Sequence, residues 1–160
     1  MASTQRLASG KWRARYRDEA GREHAKHFVR KIDAQQWLDE VTAALVTGQY
    51  VDPRAGKITL RQYASGWEAL QVGREGTAAI TDNALRVHIL PLLGDRTVAS
   101  LRRSDIQGLV KTVSGRLAPS TVRNVYDVLN RVLAAAVDDR VISVSPAKRI
   151  ALPALTHGEV

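Results

Sequence analysis

The chain has 160 residues, with 24 Lys and Arg against 16 Asp and Glu, a formal charge of +8 and no cysteine. That length suits one ordinary domain or two small ones, and the missing thiols exclude disulfides and thiolate chemistry. The basic balance, with a pI near 10.3, favours a polyanion, nucleic acid before anionic membrane, because no apolar run reaches the ~18–20 residues of a spanning helix and no signal-peptide pattern opens the chain. His24, His27, His88 and His157 show no metal-ligand spacing with acids, so neither a metal nor a cofactor is expected.

Residues 1–50 mix strands with one helix. A short strand around Thr4–Ala8 precedes Gly10. Then Trp12, Ala14 and Tyr16 alternate with Arg13, Arg15 and Arg17. Strict alternation marks a strand with one dry face and one wet face, and here the wet face is a row of guanidinium groups. Asp18-Glu19-Ala20-Gly21 is a hairpin turn with two candidate registers. A four-residue loop pairs Arg17 with Arg22 and puts His24 and Lys26 on the arginine face. A three-residue loop with Gly21 left-handed pairs Asp18 with Arg22, Trp12 with Phe28 and Tyr16 with His24. We take the second, which stacks the two largest apolar side chains on one face. A one-residue slip would flip Phe28 into solvent. His27 then shares the arginine face, and Lys26 snorkels on the other. Asp33 with Gln36 fits a capping-box start. Ala34, Trp37, Leu38, Val41 and Leu45 recur at helical spacing up to Gly48, a natural stop. Trp37 and Leu38 should cover the Trp12/Phe28 face and leave the arginine face open.

Residues 51–57 carry turn chemistry in Asp52-Pro53 and Gly56 and read as a linker. From residue 58 the pattern is helical only. Thr59 with Gln62 opens a helix with Leu60, Tyr63, Ala64, Trp67 and Leu70 inward. Thr77 caps a second, ending at Pro91, with Leu85, Ile89 and Leu92 as core contacts. Gly94 turns the chain. Ser104 with Gln107 opens a third, with Ile106, Leu109, Val110 and Val113 inward. Pro119-Ser120 starts the longest, with Val122, Val125, Leu129, Val132, Leu133 and Ala136 on one face. Ser145-Pro146 begins a final short turn. The expected class is α+β: a three-stranded antiparallel sheet packed on one helix, then an all-α bundle of four to five helices.

The stretch from Gly10 to Asp18, the turn glycine at 21, Phe28, Ala34 and Trp37-Leu38 resembles the arm-type DNA-binding domain of phage-type tyrosine recombinases (integrases). Ile58-Thr59-Leu60 with Tyr63 and Trp67, the run His88 to Gly94, Leu117 to Val122, Leu133 to Val137 and Ser145-Pro146 resemble their core-type, SAM-like DNA-binding domain. Ser145 stands where the family usually has Asn. The resemblance covers nearly the whole chain. It implies an arm-type module over 1–50, a core-type module over 58–153, and over 154–160 the start of a linker to a catalytic domain. The family's catalytic Arg/Lys/His/Arg set and tyrosine nucleophile have no counterpart here. None of Tyr16, Tyr50, Tyr63 or Tyr126 lies in a matching position. The implied role of this chain is therefore DNA binding without chemistry, in a bacterial cytoplasm and nucleoid-associated when bound.

The candidate arm contacts are Arg6, Arg13, Arg15, Arg17 and His27. Arginine suits both bidentate guanine recognition and phosphate, though a solubilising face partly paired with Glu23 is the plain alternative. The candidate core contacts are Ser120, Thr121, Arg123, Asn124 and Arg131, with Arg86 and Lys111 beside them. A helix N-terminus offers N–H groups to phosphate; against that, Asp127 between Arg123 and Arg131 suits an intrahelical ion-pair ladder. Arg102, Arg103, His88, Lys148 and Arg149 are further basic positions on the same account. The implied partners are duplex attachment-site DNA, other integrase protomers and DNA-bending accessory factors, with no small-molecule ligand. The competing classes are a stand-alone DNA-binding regulator and a protein-interaction adaptor.

Overall fold

The computed structural model describes residues 1–156. The chain divides into two compact units, Met1–Asp52 and Pro53–Val160. His157 and the end of the 154–160 segment lie outside the described residues.

In the first unit, strands β1 (Ser3–Arg6), β2 (Trp12–Arg17) and β3 (Glu23–Phe28) form an antiparallel sheet in that order. The first strand ends sooner than Thr4–Ala8 suggested. Leu7 to Lys11 form a turn, closed by Leu7 N–H on Lys11 O at 2.8 Å, with Gly10 at φ 82°. The second hairpin takes the three-residue loop. Asp18 N–H donates to Arg22 O at 3.0 Å and Gly21 sits at φ 77°. Trp12 therefore faces Phe28 and Tyr16 faces His24.

Helix α1 (Lys31–Val46) covers one sheet face. Ala14 and Ala34 are completely buried, Tyr16 and Leu38 nearly so, and Trp12, Phe28, Trp37, Val41 and Leu45 pack round them. Alanine on both elements lets strand and helix approach closely. The cap of α1, Arg30, lies three residues before the anticipated one. Asp33 is inside the first turn, where its carboxylate takes Arg30 Nε and Nη2 at 2.9 and 2.8 Å. The acid still favours a helix N-terminus, as a charge rather than as a cap.

The second unit is a bundle. Its helices are α2 (Leu60–Ala69), α3 (Glu75–Asn83), α4 (Leu90–Leu93), α5 (Arg103–Ser114) and α6 (Pro119–Asp138), with a π-helical segment, Ala84–Ile89, joining α3 to α4. Part of the expected linker belongs to this unit: Gly56 is buried, and a Cβ there would lie 2.4 Å from Ala99 Cβ. Thr59 caps α2 with Gln62 in a reciprocal capping box, as the sequence indicates. Leu70 stands exposed at its C-cap rather than inside.

Helix α3 starts at Glu75, ahead of Thr77, and the helical path runs through Pro91 rather than stopping there. The wide π turn absorbs the break, and Pro91 falls in the first turn of α4, where its missing N–H costs nothing. That shift buries Leu93 and leaves Leu92 about half exposed. Helix α5 opens at Arg103, with Asp105 Oδ2 accepting Arg102 N–H at 2.8 Å, so Ser104 and Gln107 are not its cap. Helix α6 buries Val122, Val125, Val128, Leu129, Val132, Leu133 and Ala136 against the other helices. At roughly 1.5–3 kcal/mol per large apolar side chain, this helix is the main source of the unit's cohesion.

Residues after α6 run back along the helices. Gln107 grips Ala151 from both sides: its Nε2 donates to Ala151 O at 3.0 Å and its Oε1 accepts Ala151 N–H at 2.9 Å. Arg103 Nη2 donates to Arg149 O at 2.6 Å, and Arg123 Nε to Pro153 O at 3.1 Å. An irregular strand with no sheet neighbour thus finds side-chain partners for its backbone.

Candidate nucleic-acid interface

Cross-strand partners point to one side of a sheet. Arg13 faces His27 and Gln5, Arg15 faces Ala25 and Ser3, and Arg17 faces Glu23. These residues form the sheet face opposite α1. Arg15 Nε donates to Ser3 Oγ at 3.0 Å. Glu23 lies between two guanidinium groups, 3.7 Å from Arg13 and 3.9 Å from Arg17. Those loose, exposed pairs hold little energy and leave the row net positive. Arg6 does not join it: it faces Trp12, on the side of α1. Lys26 is also on that side and lies over the Phe28 ring at 5.5 Å, covering its edge.

Behind the row, a polar network fixes the hairpin. Asp18 accepts Arg22 N–H at 3.0 Å, Arg22 Nε at 3.2 Å and a contact from His24 Nε2 at 2.9 Å. These partners, His24 foremost, hold its carboxyl down at about 2. Arg22 Nη2 also reaches Asp52 at 2.8 Å. The His24 ring stacks on Tyr16 at 5.0 Å, and the Tyr16 and Tyr50 hydroxyls are 2.9 Å apart. Burial raises the pKa of both phenols. Asp18, His24 and Asp52 are close enough to offer a cation three ligands. The Arg22 guanidinium already bridges both carboxylates, so the cluster carries its own cation. Sequence spacing hid this group because the hairpin and the return of Tyr50–Asp52 assemble it.

In the helical unit, Thr121 and Asn124 are exposed on the first turns of α6, and Ser120 is half-buried beside them. The N-cap, Ala118, supplies no side-chain cap, so the helix end keeps its positive dipole. Thr121, Asn124 and Val125 face Ala79, Ile80, Asn83, Ala84 and His88 across a hollow of about 390 Å³.

Arg123 turns the other way, onto Pro153 O. Arg131 pairs with Asp127 at 3.3 Å and lies 5.6 Å over the Trp67 ring, completing one rung of the anticipated ladder. Arg86, in the π-helical segment, pairs with Asp82 of α3 at 3.4 Å. Lys111 stands exposed in the last turn of α5, away from the hollow's lining. His88 is not a surface cation: it is 8% exposed, and burial, with Arg116 nearby, lowers its pKa. Sequence reasoning missed Gln107 and Arg103 as holders of the returning segment; no local pattern announces a bond across more than 40 positions.

Residues 3–47 match the family model described as phage integrase, N-terminal domain. That span holds the whole sheet, its arginine row and α1. That stretch is similar to the N-terminal domain of phage integrases. It is 26% identical over 130 residues to the integrase of Mycobacterium phage D29, covering 77% of this chain and 34% of that protein. The chain thus spans about a third of the curated integrases it matches. A phage integrase SAM-like domain from Moorella thermoacetica matches at TM-score 0.53 and 26% identity, over 69% of this chain and 98% of that one. A lambda integrase dimer bound to a COC' core site matches in fold at TM-score 0.56 and 15% identity, over 95% of this chain and 46% of that one. The integrase fold class is therefore the expected one: a sheet-and-helix unit followed by a SAM-like helical unit.

Proposed function

We propose that this chain binds double-stranded DNA through two surfaces, within a site-specific tyrosine recombinase. The sheet unit takes arm-type sites and the helical unit takes core-type sites. The observation that carries the reading is the row of Arg13, Arg15 and Arg17 on a sheet face that α1 does not cover, with His27 and Gln5 alongside. A ribbon of strands fits a major groove about 12 Å wide, and arginine on it meets guanine or phosphate. The lambda integrase of similar fold is bound to a core site, which supports the same use of the helical unit here. There we assign Ser120, Thr121 and Asn124, at the uncapped start of α6, to the DNA side. Two weak modules on one chain raise each other's effective concentration.

Full recombinase activity, partner protomers and accessory bending factors belong to the same proposal. So does work in the bacterial cytoplasm, which fits the described residues: none of their helices is long and apolar enough to cross a membrane. Arg15→Ala tests the arm assignment. It should weaken binding to an arm-site duplex by ~1–3 kcal/mol if Arg15 reads a base. Unchanged affinity would remove Arg15 from the interface.

A further inference from the structure

The hollow between α3 and α6 has a composition unlike a solvated groove. Much of its lining is apolar: Ala79, Ile80 and Ala84 on one side and Val125 across from them. Its rim carries neutral hydrogen-bonding groups, Asn124 and Thr121. His88 also lines it, 8% exposed, and His88 Nδ1 is buried without a hydrogen-bond partner among the described residues. A buried, unpaired ring nitrogen is an unmet polar demand, which a native core rarely tolerates without a role. His88 itself belongs to the π-helical segment, a distortion frequent at functional sites. All of Glu75 to Ile80 is exposed, and from Gly76 to Ala79 no side chain is larger than threonine. That lets the α3 backbone come close to whatever it meets.

We propose that this hollow is a base-reading pocket selective for an A·T pair, an inference that rests on the DNA-binding reading above. In a major groove the thymine methyl is the apolar feature, and it suits the Ile80/Ala84 wall. Adenine offers N7 and N6–H₂, which an asparagine amide such as Asn124 matches with two hydrogen bonds. The hollow's lining has no arginine or lysine to read guanine and no carboxylate to read cytosine. Its volume, at the low end for ligand pockets, also admits an apolar side chain of another protein, and the test separates the two.

The 160-residue chain is used to select sites from a pool of randomised duplexes, and each thymine of the selected site is then replaced singly by uracil. At one A·T pair, losing the methyl should weaken binding about fourfold, the equivalent of one buried carbon. That loss should shrink in Ile80→Ala. Asn124→Ala should lower preference for adenine at the same pair by roughly fivefold to a hundredfold. Both side chains are exposed, so neither change should disturb folding, and the uracil series needs no variant at all. Uracil tolerated at every thymine, or an unaltered base preference in Asn124→Ala, overturns the pocket while leaving DNA binding standing. A change in self-association in Ile80→Ala, with DNA affinity unmoved, overturns it in favour of a protein contact. Retention of no duplex overturns the DNA reading together with the pocket.

Discussion

Replacing Gln107 with alanine isolates the grip on the segment that returns after α6. Two hydrogen bonds to Ala151, at 2.9 and 3.0 Å, are lost. A typical protein hydrogen bond contributes a net 0.5–1.5 kcal/mol, and this site is only half-buried, so the pair is worth about 1–2 kcal/mol. The segment keeps Arg103 on Arg149 and Arg123 on Pro153, so the bundle should stay folded. The cost should appear as local opening around residue 151. Amide hydrogen exchange reads it directly, because Ala151 N–H is the donor to Gln107. Its protection should fall roughly 5- to 30-fold, with the amides of α6 unmoved. Gln107→Glu keeps an acceptor for that N–H and loses only the donor to Ala151 O, so it should restore most of the protection. Unchanged exchange at Ala151 in Gln107→Ala would refute the reasoning. Equal loss in the glutamate variant would show that packing, not the acceptor, protects the amide.

Leu129→Ala, at a fully buried site, should cost ~2–5 kcal/mol in a urea melt, and a loss below 1 kcal/mol would contradict the core placement. The Asp18 carboxyl titrates at about 2 in the fold against 3.8 in the open chain. A depressed carboxylate stabilises above its open-chain value, so the hairpin should lose stability as pH falls from about 4 towards 2; a carboxyl titration midpoint near 3.8 by NMR would remove the network's role. The lowered pKa of His88 means that the unfolded chain binds its proton first. The helical unit should then weaken as pH drops below 6.5. A His88 ring titration at or above 6.5 would contradict that.

Long-range order was legible where periodicity or a turn residue constrained it. Gly21 and the need to stack Trp12 on Phe28 selected the hairpin register, and the register put Arg13, Arg15, Arg17 and His27 on one face. The apolar stripe of α6 was equally plain. What failed was local punctuation. Asp33, Thr77 and Ser104 look like caps, yet each lies inside its helix, because Arg30, Arg74 and Arg102, in extended backbone, hold the N-cap positions. Pro91 looked like a stop because nothing in sequence announces a π turn. The bond from Arg123 to Pro153 O spans 30 positions and has no local signal either. Side chains that serve distant backbone leave no periodic trace.

The central claim is that the uncovered arginine face binds duplex DNA, and a salt titration tests it most directly. Binding of the 160-residue chain to an arm-site duplex should weaken linearly in log–log form as salt rises, at a slope of about 0.9 per phosphate neutralised. Replacing Arg13, Arg15 and Arg17 together with alanine should flatten that slope by about 1–3. No measurable binding at low salt, or a slope untouched by the triple replacement, would contradict the account.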